Sequence, residues 1–392
     1  MPFIRRVALK NYKNIRSCDV ALQDLTLLVG PNGSGKSNFL DALDFTKQAV
    51  DSTLDVALRE RGGIDSVRRR SVGHPHDFTI RVDLNLPDGA SAAFAFTVGA
   101  RKGSRFVIRR EKCSVDMGVL EEKLEYEVKN GELVGANFSL PPDVPTDRLY
   151  LARVGALEGF REVFDGLVRM GFYNLNPQEM RAMQSPDYSD ILTSSGSNIA
   201  SVVGELSKPA LTRVNDFLAR ISPGTSAVRR VPLGQMESLE FAQQVEGSPA
   251  DWKFRAWELS DGTLRAVGTL IALFQSSSVP LVAIEEPETA LHPAAAGVLA
   301  DALRESSQTR QVLATTHSPE MLDSEAFGSD SILAVDVHEG IASIGSIDDR
   351  SKEALRSSLY TPGELLRERR LQPKSPPATE LRTESLFVDG TE

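Results

Sequence analysis

Leu25-Thr-Leu-Leu-Val29 runs directly into Gly30-Pro-Asn-Gly-Ser-Gly-Lys-Ser37, and Asn38-Phe-Leu-Asp-Ala-Leu43 follows. Strand, glycine-rich turn and helix, in that order, is the setting in which the pattern G-x-x-x-x-G-K-[ST] cradles phosphate. Glycines let the backbone curl until successive N–H groups point at one anion. The helix that follows adds the positive end of its dipole. The residues expected to surround a nucleotide are Gly30, Pro31, Asn32, Gly33, Ser34, Gly35, Lys36, Ser37 and Asn38. Lys36 can reach the β- and γ-phosphates, and Ser37 can set its hydroxyl on Mg²⁺. The loop by itself says that a nucleoside triphosphate binds.

The bulk of the chain limits the kind of machine. Its 392 residues suffice for two or three compact units. With 41% apolar and 25% charged residues the composition is that of an ordinary globular protein. No apolar run is long enough for a membrane-spanning helix, and the start Met-Pro-Phe-Ile-Arg-Arg lacks the apolar core of a secretory signal. Cys18 and Cys113 stand alone, outside any metal-type spacing, which fits a reducing cytoplasm. His74 and His76 could suggest a metal, but a polar loop is the simpler reading. A net charge of −10 argues against a chain coated in nucleic-acid-binding surface, though it leaves room for one basic face. The candidates are Arg101-Lys-Gly-Ser-Arg105 with Arg109-Arg110-Glu-Lys112, and Arg68-Arg69-Arg70.

Hydrophobic periodicity divides the chain. Residues 1–60 read as strands Ile4–Leu9, Cys18–Leu22 and Leu25–Val29, followed by the helix that begins at Ser37. Residues 61–140 alternate apolar and polar between tight turns and predict an inserted antiparallel sheet. Residues 141–223 are dominated by helical spacing, with Leu157, Phe160, Phe164 and Leu167 as one stripe. Residues 224–345 return to an α/β pattern, with buried-type strands at Leu281–Ile284 and Val312–Thr315. Residues 346–392, notably Pro373-Lys-Ser-Pro-Pro-Ala, read as a partly disordered tail.

Three further motifs follow the phosphate loop in a fixed order. Leu259-Ser-Asp-Gly-Thr263 opens a helix, where the Ser260 hydroxyl and free N–H groups around Gly262 can meet an anion and Asp261 joins the expected nucleotide-binding set, although a plain serine cap has the same sequence. Leu281-Val-Ala-Ile-Glu285-Glu286-Pro-Glu288 is a buried strand delivering carboxylates at its C-terminal end, costly unless a cation such as Mg²⁺ balances them. Thr315-Thr316-His317-Ser318-Pro319 ends another such strand.

This ordered set resembles the ABC-type ATPases. The Leu9-Lys-Asn-Tyr-Lys-Asn-Ile15 stretch and the Glu-Glu-Pro-Glu…Leu291-His292-Pro293 string are similar to the RecF/SMC/OLD branch. Phe172-Tyr-Asn-Leu-Asn-Pro177 and Leu259-Ser-Asp-Gly-Thr-Leu-Arg265 resemble its stand-alone bacterial AAA15/OLD-like members. The likeness is specific over residues 1–45 and 254–323 and loose between them. It implies an α/β P-loop ATPase head carrying the antiparallel β insertion and the helical insertion. It also implies ATP and Mg²⁺ as ligands, with Ser37 and Glu285 at the metal, Glu286 polarising the attacking water and His317 at the γ-phosphate. Ser260 and Gly262 would complete the site of a second subunit in a head-to-tail homodimer, and residues 290–292 would be the contact loop between subunits. Gln178, or alternatively Gln184, would be the glutamine that senses Mg²⁺. Glu285 stands where many ABC proteins carry Asp, and the stretch after His317 does not build the Toprim nuclease domain of OLD nucleases. Two functions are implied: an ATP-driven switch on or near DNA in genome maintenance or phage defence, or a regulatory ATPase subunit controlling a separate effector such as a nuclease. The wide separation of Lys36 from Ser260 is unlike a transporter subunit.

Overall fold

In a computed structural model the chain is described over residues 1–388, apart from 72–74, 88, 102–104, 119–122, 138, 140–142, 325 and 375–380. The N-terminal strands are β1 (Ile4–Tyr12), β2 (Ile15–Ala21) and β3 (Leu25–Val29). An antiparallel run follows as β4 (Asp77–Asn85), β5 (Ser91–Arg101), β6 (Arg105–Asp116), β7 (Leu124–Lys129) and β8 (Glu132–Ala136). After these come β9 (Gly171–Tyr173), β10 (Thr225–Leu233), β11 (Met236–Gln243) and β12 (Trp252–Arg255). The C-terminal strands are β13 (Leu281–Glu285), β14 (Gln311–Thr316), β15 (Ile332–His338) and β16 (Ile341–Ser346). Thirteen of these form one sheet in the order β8-β7-β6-β5-β4-β1-β2-β16-β15-β3-β14-β13-β9, while β10–β12 form a small antiparallel sheet.

The α/β class follows from how the central strands are covered. All five residues of β3 are buried. Leu28 points into one apolar cluster with Phe39, Leu43 and Phe45 of the helix Lys36–Asp51, whereas Leu27 and Val29 point into another with Leu264, Val267 and Ile271 of the helix Asp261–Phe274. β13 and β14 alternate in the same way, with Ala283 and Leu313 on the first face and Val282, Ile284, Val312 and Ala314 on the second. A strand covered on both faces reads as a continuous apolar run, and this is why it could be recognised.

Several expectations change. The antiparallel strands of residues 61–140 do not form a separate sheet, because β4 pairs directly with β1. The helical stretch 141–223 contains β9, which pairs in parallel with β13 at Val282↔Gly171 and Ile284↔Tyr173. Three residues are too few to show a period, so the strand was invisible to periodicity. Leu157 of the expected stripe is exposed, since the helices run over Leu151–Val154 and Arg161–Val168 on either side of it. β16 meets β2 through a single pair, Ala342↔Ile15.

The C-terminal stretch is not a loose tail over its described residues. Helices Asp349–Arg356 and Pro362–Arg367 pack onto the body, burying Leu365 and Leu371. Leu386 and Phe387 are buried beside Ala8 and Ala95. The Arg81 guanidinium donates to the carbonyls of Leu386 (3.0 Å) and Val388 (2.7 Å), and that of Arg110 lies 4.2 Å from the Phe387 ring centroid. Part of the proline-rich stretch, and His74 and Lys102, lie outside the described residues. Four cations of the basic clusters face carboxylates: Arg109 faces Asp77, Arg110 faces Glu127, Lys112 faces Glu125 and Arg68 faces Asp65. Among the described residues no helix is long and apolar enough to cross a membrane.

Glu111 on β6 ties the antiparallel strands to the segment that follows them. Its carboxyl group is fully buried and accepts hydrogen bonds from Tyr126 Oη (2.7 Å), Tyr150 N (2.6 Å) and Leu151 N (2.8 Å). Burial pushes its pKa up to about 7, against the pull of those three donors. A carboxyl raised in the folded state contributes stability below the unfolded pKa and loses it as pH rises through the folded one. Relative to Glu111→Gln, the native chain is therefore expected to lose roughly 1–3 kcal/mol between pH 4.5 and 7.5. Urea midpoints of the two proteins across that range check this, and parallel curves would remove Glu111 as the cause.

Candidate nucleotide site

The site is assembled by register. β14 lies between β3 and β13, all parallel, with Val29 opposite Thr316 on one side and Glu285 opposite Thr315 on the other. Three chain segments, beginning at Gly30, Glu286 and His317, therefore leave the sheet together at its C-terminal edge, where open α/β sheets place their ligands.

The phosphate loop has the conformation its glycines permit. Gly33 and Gly35 have φ of 77° and 114°, in the left-handed region. A Cβ at Gly30 would stand 2.0 Å from the Val335 carbonyl oxygen, so no other residue fits there. Lys36 is buried, and its ammonium donates to the carbonyls of Gly30 (2.8 Å) and Pro31 (3.1 Å). Burial pulls its pKa below the ordinary lysine range, while the charges of Glu286, Glu288 and Glu285 oppose that shift. Ser37, one residue on, donates to Glu285 Oε2 at 2.7 Å, joining groups 248 positions apart. The buried Ser34 hydroxyl has no protein partner.

Glu286 is set apart from Glu285 by a backbone twist. Its φ is +41°, unusual for a residue with a Cβ, and its N–H is held by the Thr315 carbonyl (3.2 Å) and hydroxyl (3.0 Å). Glu286 Oε1 lies 3.3 Å from His317 Nδ1. Glu288 underlies the pair: its buried Oε1 accepts from the Thr316 hydroxyl and from His317 N (3.3 Å).

The signature segment lies elsewhere in the chain's own fold. Ser260 caps the helix Asp261–Phe274, accepting from Thr263 N at 3.2 Å, so the plain capping role is present. Gly262 is buried, and a Cβ there would stand 2.2 Å from the carbonyl oxygen of Ala290, itself at φ +67°. The signature helix is thereby seated on the segment 290–292, where His292 caps the next helix through Nδ1, accepting from Ala294 N. The structure thus gathers Lys36, Ser37, Glu285, Glu286 and His317 on one edge and seats Ser260–Gly262 on the loop that follows the acidic pair.

The two glutamines differ. Gln178 is exposed, five residues beyond β9, the strand paired with β13. Gln184 is buried and spent on structure, its amide bonded to Ala200 N and the Glu179 carbonyl. Sequence reasoning passed over Asn14, whose Oδ1 accepts from Asn38 Nδ2 (2.8 Å) and would touch a Cβ at Gly35. It also passed over Arg181, which donates to Leu259 O and Asp261 Oδ1. Neither carries a local signal, because each partner is distant in sequence.

The residues present fit Mg²⁺ and a triphosphate. The loop turns through left-handed Gly33 and Gly35 with the buried Ser34 hydroxyl left without a protein partner, and the Ser37 hydroxyl and Glu285 carboxylate are hard oxygen donors already within hydrogen-bond distance of each other. Among the described residues no cluster of three or more metal-ligating side chains exists, and a Mg²⁺ shared with phosphate oxygens requires none.

Comparison with known proteins agrees with this geometry. Residues 3–84 match the family model described as "AAA ATPase domain", and residues 237–323 match one described as "AAA domain, putative AbiEii toxin, Type IV TA system". The OLD nuclease of Thermus scotoductus (strain ATCC 700910 / SA-01) is 23% identical over 381 residues, covering 90% of this chain and 66% of that protein. The chain thus spans just under two thirds of that relative's length. The structure of an Smc head bound to the C-winged helix domain of ScpA superposes with a TM-score of 0.56 at 16% identity, covering 90% of this chain and all of that one. An Smc head with an extended coiled coil, bound to the C-terminal domain of ScpA and derived from Pyrococcus furiosus, gives 0.56 at 14%, covering 92% of this chain and all of that one. The motifs, the sheet and these likenesses agree: the chain carries matches to ATPase domain models at both ends, has the α/β fold of Smc heads, and resembles the ABC-type ATPase heads of the RecF/SMC/OLD-like kind.

Proposed function

We propose that the chain binds and hydrolyses ATP with Mg²⁺, and that the bound nucleotide closes two copies head to tail around two shared sites. The observation that carries this reading is the convergence of Lys36, Ser37, Glu285, Glu286 and His317 at the ends of three parallel strands. Phosphoryl transfer to water calls for positioning and charge neutralisation more than for covalent chemistry. Lys36 and the loop N–H groups hold the triphosphate, and Ser37 and Glu285 hold the metal, which neutralises phosphate charge. Glu286 polarises the attacking water, and His317, within 3.3 Å of it, steadies that carboxylate and the terminal phosphate. Gln178, on the short helix Pro177–Arg181 that follows β9, is our candidate to sense the metal. Ser260, Asp261 and Gly262 of the second copy close over the nucleotide.

The setting we propose is a switch on or near DNA, in genome maintenance or phage defence, inside the cytoplasm. One observation favours the second reading, a regulatory ATPase that drives a separate effector such as a nuclease: Arg68, Arg109, Arg110 and Lys112 are each matched by a carboxylate and offer little net positive surface. DNA-stimulated turnover supports the first reading, and co-purification with an effector without such stimulation supports the second.

Glu286→Gln is expected to slow hydrolysis about 10²-fold or more, the scale of a lost general base, and to accumulate an ATP-dependent dimer in sedimentation. An unchanged rate removes Glu286 from that role. Lys36→Ala is expected to abolish binding of a fluorescent ATP analogue. Ser260→Arg is expected to leave that binding intact while preventing the dimer.

A further inference from the structure

On the outer face of the antiparallel strands, Ala8 of β1 lies opposite Arg81 of β4, and Arg81 lies opposite Ala95 of β5. Cross-strand partners share a face, so one long side chain stands between two short ones. The row continues outward as Asp19 opposite Ala8 and Lys112 opposite Ala95, so the two alanines are its low points. Leu386 and Phe387 fill them: both are buried, in one apolar cluster with Ala8 and Ala95, and Leu381 packs against that cluster. The rest of the segment gains little burial, with Arg382, Glu384, Ser385 and Val388 exposed. The buried Arg81 reads the segment's backbone. Its Nε is held by Asp83 Oδ1 (2.7 Å), and its Nη1 donates to the carbonyls of Leu386 and Val388. Asp83 is fixed in turn by Arg6 at 3.3 Å. The Arg110 guanidinium closes over the Phe387 ring, a cation–π contact that favours an aromatic residue there.

We infer that this notch is a docking surface for a short peptide segment, read as a Leu-Phe pair with open main-chain carbonyls, and that the chain's own residues 381–388 occupy it as a detachable strap. The inference does not rest on the nucleotide reading. Detachment follows from the balance of terms. Two anchoring side chains and a few hydrogen bonds must offset the entropy of ordering the whole segment, so this contact opens well before the core does. Opening leaves Arg81 without its two carbonyl acceptors, and an uncovered polar group at a half-buried site favours being covered again. The surface is thus kept occupied in cis. A segment from another protein competes for it by presenting the same chemistry.

The test uses a fluorescein-labelled peptide with the sequence of residues 381–388 and the full chain in two forms, native and carrying Leu386→Ser with Phe387→Ser. A surface occupied in cis has its apparent affinity for a peptide in trans lowered to the fraction left open. By fluorescence anisotropy the peptide is therefore expected to bind the substituted chain about 10-fold more tightly than the native one, or better. The same peptide carrying both serines is expected to bind neither form. Adding Ala95→Leu, which fills one low point of the row, is expected to remove binding from the substituted chain. If the doubly substituted chain fails to fold, Phe387→Ser alone carries the same expectation. Equal binding by the two forms, no binding by the substituted form, or binding that survives Ala95→Leu overturns the proposal. Sedimentation of the native chain without nucleotide completes the test, with one species expected at all concentrations. A dimer that the two serines abolish would put the strap on a second copy and overturn its occupancy in cis.

Discussion

The parallel register of β3, β14 and β13 is the constraint on which the site depends. Because Val29 pairs with Thr316 and Glu285 with Thr315, a one-residue slip of either outer strand would turn its side chains to the opposite face. It would also part the Ser37 hydroxyl from the Glu285 carboxylate. Register is held by burial on both sides: Leu28, Ala283 and Leu313 feed one apolar cluster, while Leu27, Ile284 and Ala314 feed the other. The hydrophobic effect thus sets the level at which polar groups emerge, and the polar groups need little reach of their own.

The electrostatics of that edge follow from its geometry. Three carboxylates, at 285, 286 and 288, act on one buried ammonium at Lys36. Glu288 is used internally, its Oε1 bonded to Thr316 and His317, and its Oε2 is buried without a protein partner. Buried charge of one sign is costly unless balanced, so an edge with more carboxylates than cations favours a bound divalent ion. The strained backbone at Glu286 adds a cost of order 1 kcal/mol, held in place by two hydrogen bonds from its N–H to Thr315.

How much of this could be read in the sequence depended on whether the signal was local. The phosphate loop was legible because an apolar run, a glycine turn and a helix sit side by side, and β13 and β14 were legible because doubly covered strands leave unbroken apolar runs. β9 was not, since Gly171-Phe-Tyr173 gains its strand character from pairing with β13 more than a hundred residues later. Nor was the docking of Leu386 and Phe387, which is fixed by Arg81 and Arg110 on distant strands. At the site, residue types were legible and their joints were not: Gly262 against the Ala290 carbonyl, Arg181 around Ser260, and Asn14 behind Gly35 all join partners far apart in the chain. In the basic clusters the cations were legible but not their pairing, because composition counts cations and does not see the carboxylates that Arg109, Arg110 and Lys112 meet on neighbouring strands.

The great sheet is continuous, yet it is not uniformly strong. From β8 to β2 it is a laced antiparallel plate, and from β16 to β9 it carries the candidate nucleotide edge; the two halves share one ladder pair, Ala342↔Ile15, and are tied again where the Gln311 amide bonds the N–H and the carbonyl of Ile4. At this seam Ala342 N donates to the Asn14 carbonyl (3.0 Å), and the side chains of both residues stand within 3 Å of where a Cβ at Gly35 would lie. In mechanical terms the molecule is two stiff plates sharing a narrow seam, and the phosphate loop sits on the seam. A load passing between the plates crosses the seam, the Gln311–Ile4 contacts or the apolar cluster they share, and of these the seam is the one that lies against the phosphate loop.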